Sequence, residues 1–212
     1  MKIKRFEFNM LPVNCYLVYD STKEAAIIDP GCFYAEERDF LRDYIKSKGL
    51  TPKHLLCTHL HLDHVFGCKF IKDTYGLGIE ANPADEYWLQ QAPQQARTFG
   101  LTYPEIHEPI EQPLFDGDKV TFGDLELEAI CVPGHSPGSL AFYSREKKVL
   151  FSGDVLFQGS IGRADLQGGN FEELKEAICN RLFTLPDDVT VYPGHGPSTT
   201  IGYEKRNNPF FI

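Results

Sequence analysis

Residues 58–64 read Thr-His-Leu-His-Leu-Asp-His, and this run restricts the possible folds more than any other feature of the chain. In an extended segment alternate residues share a face, so His59 and His61 point to the same side. Asp63 and His64 then fall at the start of a following helix, whose positive end suits an aspartate. One six-residue turn therefore offers two ligands to one cation and two to a neighbouring one. Before it, Leu55–Thr58 reads as a buried strand; after it, a helix is expected from about Val65 to Tyr75. The motif is thus a strand-to-helix turn, and the fold must bring further donors to that strand end.

Three more short motifs answer this need. Val132-Pro133-Gly134-His135-Ser136-Pro137-Gly138, Phe151-Ser152-Gly153-Asp154 and Tyr192-Pro193-Gly194-His195-Gly196 each follow a predicted strand. Gaps of 71, 19 and 41 residues separate His64, His135, Asp154 and His195, so the donors are local in kind but distant in sequence. Each sits beside glycine or proline just past a strand, where rigid scaffolds present functional side chains. Imidazole nitrogens and carboxylate oxygens without thiolate suit zinc, with manganese or iron as alternatives. His54 and His107 lie outside these motifs and read as ordinary core or surface histidines.

The rest of the chain supplies the scaffold. Short strands are predicted at Ile3–Phe8, Cys15–Tyr19 and Ala25–Ile28, bounded by turn residues, followed by a helix over Ala35–Lys48. That helix carries Phe40, Leu41, Tyr44 and Ile45 on one face and stops at Gly49 and Pro52. A short helix at Asp85–Gln95 leads into a proline-rich loop. Strands return at Lys119–Phe122, Leu125–Val132, Ser139–Tyr143 and Lys147–Ser152. An amphipathic helix over Phe171–Phe183, with Phe171, Leu174, Ile178 and Leu182 on one face, precedes strand Val189–Tyr192 and a short helix at Thr199–Lys205. Two strand-rich halves, each holding helices, indicate a layered α/β architecture with two sheets rather than one doubly wound sheet. With no repeat, linker or low-complexity run, residues 1–212 read as a single domain.

A formal net charge of −9 argues against a nucleic-acid partner, and divalent cations would offset part of it. No apolar stretch approaches the roughly 20 residues of a membrane span. The charged start Met1-Lys-Ile-Lys-Arg leaves no room for a signal peptide's apolar region, so a cytoplasmic location is expected. The six cysteines form no CxxC pair and read as reduced, mostly core-packed thiols. No sequence feature specifies an oligomeric state.

Taken together, these motifs resemble the metallo-β-lactamase fold superfamily, and within it the short, single-domain branch of glyoxalase II-like hydrolases. The stretches Phe157–Asp165 and Gly194–Phe210 carry the closer likeness. The resemblance implies a four-layer αββα sandwich of two mixed β-sheets flanked by helices, with metals at one edge. It assigns His59, His61 and His135 to a first metal, Asp63, His64 and His195 to a second, and Asp154 to both. Asp29, in the Ile28-Asp29-Pro30-Gly31 turn, matches a position beneath the site and is expected to support a ligand histidine.

The implied chemistry is hydrolysis of a small-molecule substrate. Two divalent ions per chain, Zn²⁺ first among the candidates, lower the pKa of a shared water toward roughly 7, and the hydroxide attacks a carbonyl. Asp63 is expected to orient that nucleophile, so Asp63 and Asp154 are the catalytic carboxylates. A thioester fits best, because a thiol leaving group of pKa about 8.5 needs no separate acid. Lactones and phosphate esters follow as weaker readings. The competing branch is the persulfide dioxygenases, with one iron on His59, His135 and Asp154. Secreted β-lactamases of this fold fit less well, since they use cysteine where Asp154 stands. The sequence as read ends at Ile212 without the helical domain that supplies basic residues to glutathione in full-length glyoxalase II enzymes, so weak glutathione recognition is expected. Arg163 has two readings, a clamp for a substrate carboxylate or a surface residue paired with Asp165.

Overall fold

The computed structural model describes residues 1–103 and 109–212, so His107 lies outside the described residues. The first half of the chain builds one six-stranded sheet from β1 (Lys2–Phe8), β2 (Val13–Tyr19), β3 (Glu24–Ile28), β4 (Thr51–Leu56), β5 (Ile79–Ala81) and β6 (Gln112–Pro113), in that spatial order. Its first three strands run antiparallel and the last four pair in parallel. Between β3 and β4 lies α1 (Ala35–Lys48), which ends where Gly49 adopts a left-handed conformation. Next come α2 (Leu62–Val65), α3 (Cys68–Tyr75) and α4 (Tyr87–Thr98).

The second half contributes β7 (Lys119–Phe122), β8 (Leu125–Cys131), β9 (Leu140–Ser144) and β10 (Val149–Gly153). A small hairpin, β11 (Leu156–Phe157) with β12 (Ser160–Ile161), follows, then α5 (Phe171–Ala177), β13 (Thr190–Pro193), β14 (Thr199–Thr200) and α6 (Ile201–Asn207). The second sheet has the order β14-β13-β10-β9-β8-β7, with β10 and β13 parallel and the rest antiparallel.

Side-chain alternation explains the layering. On β2, Cys15 and Leu17 face the helices with Leu41, Ile45 and Ile71, whereas Tyr16 and Val18 face the other sheet with Phe122, Leu127, Phe142 and Phe151. On the far side, Ala141, Tyr143 and Val191 pack under Leu174, Ile178 and Leu182. Strands buried on both faces read as continuous apolar runs, and β2 is buried at every position. The architecture is therefore the expected αββα sandwich. Cys15, Cys32, Cys57 and Cys68 are part of the first of these cores.

Local departures from expectation have local causes. The helix expected from Val65 to Tyr75 is two helices, because the chain turns at Gly67, where a Cβ would lie 2.5 Å from the Pro30 carbonyl. The helix expected over Phe171–Phe183 is α-helical only to Ala177 and then widens into a π-turn over Ile178–Leu182. Leu174, Ile178 and Leu182 are fully buried, roughly 1.5–3 kcal/mol each, which holds the widened turn in place. Phe171 and Phe40, expected on buried faces, are largely exposed; Phe40 instead packs edge-on against Phe6. The strands β5, β6, β11, β12 and β14 are additional to those expected; β14 takes Thr199–Thr200 from the start of the expected last helix.

Candidate metal centre

Every predicted donor lies at one edge of the sandwich, where the strands of both sheets end. The Thr58–His64 run leaves β4 and passes into α2, with His61 at the N-cap position in extended backbone. His135 follows β8, Asp154 follows β10 and His195 follows β13. The sheets are tied together here: Asn14 on β2 donates its side-chain NH₂ to the carbonyls of Pro193 and Gly196 (both 2.9 Å), and the Tyr16 hydroxyl donates to Pro193 (2.7 Å). Gly194 is required because a Cβ there would collide with the Asp154 carboxylate.

Three groups of donors form, the ligand atoms within each lying within 4.8 Å of one another: His59, His61 and His135; Asp63, His64 and His195; and His59, His64 and Asp154. The third group shows Asp154 reaching between the other two. Its Oδ1 is 3.4 Å from His64 Nε2, and its Oδ2 is 3.4 Å from His195 Nε2 and 3.9 Å from His135 Nε2. All the sequence-predicted donors are thus in one place. His54 is elsewhere, held by Glu80 (2.8 Å) and the Thr121 carbonyl (3.1 Å) between the two sheets.

Hydrogen bonds at the far side of the His59, His135 and His195 rings fix which nitrogen is bare. Asp29 accepts from the Thr58 amide (2.7 Å) and the Thr58 hydroxyl (2.7 Å), so that hydroxyl must accept from His59 Nδ1–H (3.1 Å). The lone pair of His59 is then on Nε2. His135 Nδ1–H donates to the Arg163 carbonyl (2.7 Å), which leaves the Nε2 lone pair of His135 facing inward as well. His195 Nδ1–H donates to Pro12 (3.1 Å), and His64 Nδ1 faces Asp29 Oδ2 (3.1 Å). Asp29 therefore supports His59 through Thr58 and sets its carboxylate beside the His64 ring. It does so from a left-handed backbone position, φ 49°.

This arrangement fits a bound cation. The bare Nε2 atoms of His59 and His135 lie 3.2 Å apart, and His61 Nδ1 is 3.0 Å from that of His135. Facing lone pairs repel unless a positive charge lies between them. His64 Nε2 and Asp154 Oδ1 are buried without hydrogen-bond partners, the unsatisfied polar atoms that a metal would satisfy. Neutral imidazole and carboxylate are donors for a divalent ion.

The electrostatics differ between the two halves. Burial, reinforced by neighbouring histidines, pushes the pKa of His59 well down and that of His61 down to about 3. At His195 burial opposes the charge, but Asp154 and Asp63 outweigh it and lift the pKa to about 9. His64 is likewise raised, burial being overcome by Asp154, Asp63 and Asp29. The two histidine cations in turn hold Asp63 and Asp154 low despite their burial.

A cavity of about 330 Å³ opens onto these donors, walled by Leu11, Trp88, Phe99 and Leu166 and lined also by Asp63. Arg163 lines it, but the guanidinium is exposed and makes a two-pronged pair with Asp165 (2.7 and 2.8 Å). The surface pairing is therefore present, and a substrate anion would have to compete with Asp165. Asn14, Thr58 and Asp85 had no place in the sequence-based site, although each hydrogen-bonds its loops. Only Thr58 carried a signal, since it adjoins the first histidine.

The fold and site define a metallo-β-lactamase-type protein, and the family match agrees. The model of the metallo-beta-lactamase superfamily matches residues 9–195, and the chain belongs to that superfamily. It is 40% identical over 211 residues to hydroxyacylglutathione hydrolase GloC of Haemophilus influenzae, covering 99% of this chain and 98% of that one. Among solved structures, BLEG-1 B3 metallo-beta-lactamase superimposes with a TM-score of 0.89 at 36% identity, covering 99% of each chain. TTHA1623, solved in a di-iron-bound form, superimposes with a TM-score of 0.87 at 38% identity, covering 98% of this chain and 99% of that one. Among the described residues no helix is long and apolar enough to cross a membrane.

Proposed function

We propose that the chain is a binuclear metal-dependent hydrolase acting on a small-molecule thioester. The observation that carries this reading is the pair of donor triads, His59/His61/His135 and Asp63/His64/His195, with Asp154 reaching both. His59, His61 and His135 would hold one ion, Asp63, His64 and His195 the other, and Asp154 would bridge them. When bound, two such ions supply Lewis acidity that brings a water's pKa toward neutrality. Zn²⁺ suits the donor set, and the di-iron form of TTHA1623 makes iron a second candidate.

The residues around the ions do the rest. Asp63, which lines the cavity, would accept a hydrogen bond from the attacking water and orient it toward the substrate carbonyl. The Arg163 carbonyl and the Asp29–Thr58 pair lock the rings of His135 and His59, so no reorganisation is needed during reaction. Leu11, Trp88, Phe99 and Leu166 exclude bulk water from one side. A thiolate leaves without a proton donor, in keeping with a cavity that, among the described residues, is lined by no acid besides the metal-facing groups. The name of GloC, matched along 98% of its length, makes a hydroxyacyl glutathione thioester the first substrate to test.

A substrate panel decides the matter. The metal-repleted protein is expected to turn over a glutathione thioester faster than a lactone or a phosphodiester. Oxygen uptake on a persulfide with one bound iron, and no thioester hydrolysis, would overturn the reading in favour of a dioxygenase.

A further inference from the structure

Asp85 lies at the end of a single 3₁₀ turn, Pro83–Asp85, which begins where Asn82 accepts a hydrogen bond from the Ala84 amide (3.0 Å). The Asp85 side chain is entirely shielded from solvent. Its Oδ1 accepts from the Gly138 amide (2.6 Å), and its Oδ2 accepts from the Ser136 hydroxyl (2.6 Å) and the Leu60 amide (3.3 Å). All three donors are neutral, and two of the bonds are as short as charge-assisted hydrogen bonds become. Burying a carboxylate among neutral groups is costly, so its partners matter.

Those partners belong to two different loops. Leu60 stands between His59 and His61, and Ser136 and Gly138 immediately follow His135. The loops come from opposite sheets, and the same carboxylate grips both. Ser139 reinforces the grip, with its hydroxyl 2.8 Å from that of Ser136. The fit leaves no slack, because a Cβ on Gly138 would lie 2.7 Å from the Asp85 carboxyl carbon.

We propose that Asp85 is a positioning residue of the metal centre: by holding the Leu60 and Ser136–Gly138 backbones to one carboxylate, it sets the spacing of His59, His61 and His135. The proposal rests on reading those three histidines as one ligand set. Asp85 touches none of the reacting atoms and acts only through the two loops.

Zn²⁺ alone is the probe, titrated into the full chain in competition with a chromophoric chelator. His61→Ala identifies the binding step that belongs to the first set. Asp85→Ala is expected to weaken that step about 10–100-fold, the range for residues that orient ligands, and the other step by no more than about threefold. Asp85→Asn, which keeps the shape and one acceptor oxygen, should restore most of the loss. Ser136→Ala removes a single donor and should weaken the same step by a smaller factor, which keeps the test open if Asp85→Ala does not fold. Glu80→Gln, which breaks a buried pair with His54 away from the metals, should lower thermal stability and leave both Zn²⁺ steps unchanged. Wild-type Zn²⁺ affinity in Ser136→Ala, and in any folded Asp85→Ala, would overturn the positioning role. A wild-type chain lacking the step that His61→Ala removes would instead overturn the ligand assignment, and this proposal with it.

Discussion

The two donor sets of the candidate metal centre differ in how they would hold a cation. His59, His61 and His135 are 1%, 6% and 2% exposed, and burial keeps His59 and His61 neutral. Asp63, His64 and His195 form the other half, in which two carboxylates face two imidazoles that readily hold protons. The first set has no formal charge to offer a cation and would rely on geometry: the rings of His59 and His135, fixed by hydrogen bonds, on two tethered loops. The second relies on charge, and its outermost member, the His195 side chain, is 29% exposed. Asp154 supplies the anion that the first half lacks. In the proposed binuclear site, rigidity and charge would thus be divided between two neighbouring ions and coupled by Asp154.

Removing the coupling should have the largest effect. Asp154→Ala is expected to lower thioester hydrolysis by at least about 10²-fold and to deplete both metals, exceeding the 10–100-fold range of residues behind the ligands. Normal turnover with two ions bound would sink the bridging role. His54→Ala and His107→Ala serve as controls that should retain the metal.

The next test separates the halves. His195→Ala should lose one equivalent of metal and keep the other, whereas His135→Ala should disrupt the site built on geometry and leave the charged half able to hold an ion. Elemental analysis of the two variants, with Zn²⁺ repletion at one pH, reads this directly. Loss of both ions from His195→Ala would show that the halves do not bind independently.

How much of this was legible in the sequence follows from how each part is specified. The donors were readable because each needs a strand end and a turn, and both leave local marks: HxHxDH after Leu55–Thr58, and glycine before His135, Asp154 and His195. The two-sheet architecture was readable from the division of the chain into two strand-rich halves, and Cys15–Tyr19 is the apolar run that burial on both faces demands. The three residues of Ile79–Ala81 are too few to show a period, and Gln112–Pro113 is exposed, so neither strand announced itself. Gly67 broke a helix for a reason 37 residues away, at Pro30. The supports of the site were hidden in the same way. Asn14 reaches Pro193 and Asp85 reaches Gly138 through contacts that no local pattern encodes.

Two smaller effects sharpen the contrast from outside the ligand set. Arg163→Ala should raise KM for an anionic thioester by at most about fivefold with little change in kcat, because an exposed pair is worth roughly 0–1 kcal/mol and Asp165 already competes for the guanidinium. Its metal content should match the wild type; a large fall in kcat would place Arg163 in the chemistry instead.

His54, a histidine of the core rather than the metal edge, should reveal itself through stability alone. Burial opposes its protonation, but Glu80 outweighs this and raises its pKa above the ordinary 6.5. The contribution is therefore complete below about pH 6.5 and is lost as pH rises through the raised value. The gap in Tm between wild type and His54→Gln should be a few degrees at pH 6, about what 1 kcal/mol produces in a chain of this size, and smaller at pH 9. A gap that widens with pH would contradict the assignment.

The central claim is that the rigid half and the charged half each hold an ion at once. Elemental analysis of the wild-type chain after metal depletion, repletion and removal of excess ion measures this most directly. Two ions held at once should give close to two equivalents per chain, falling to about one in His195→Ala. A firm value of one in the wild type, unchanged by His195→Ala, would contradict it.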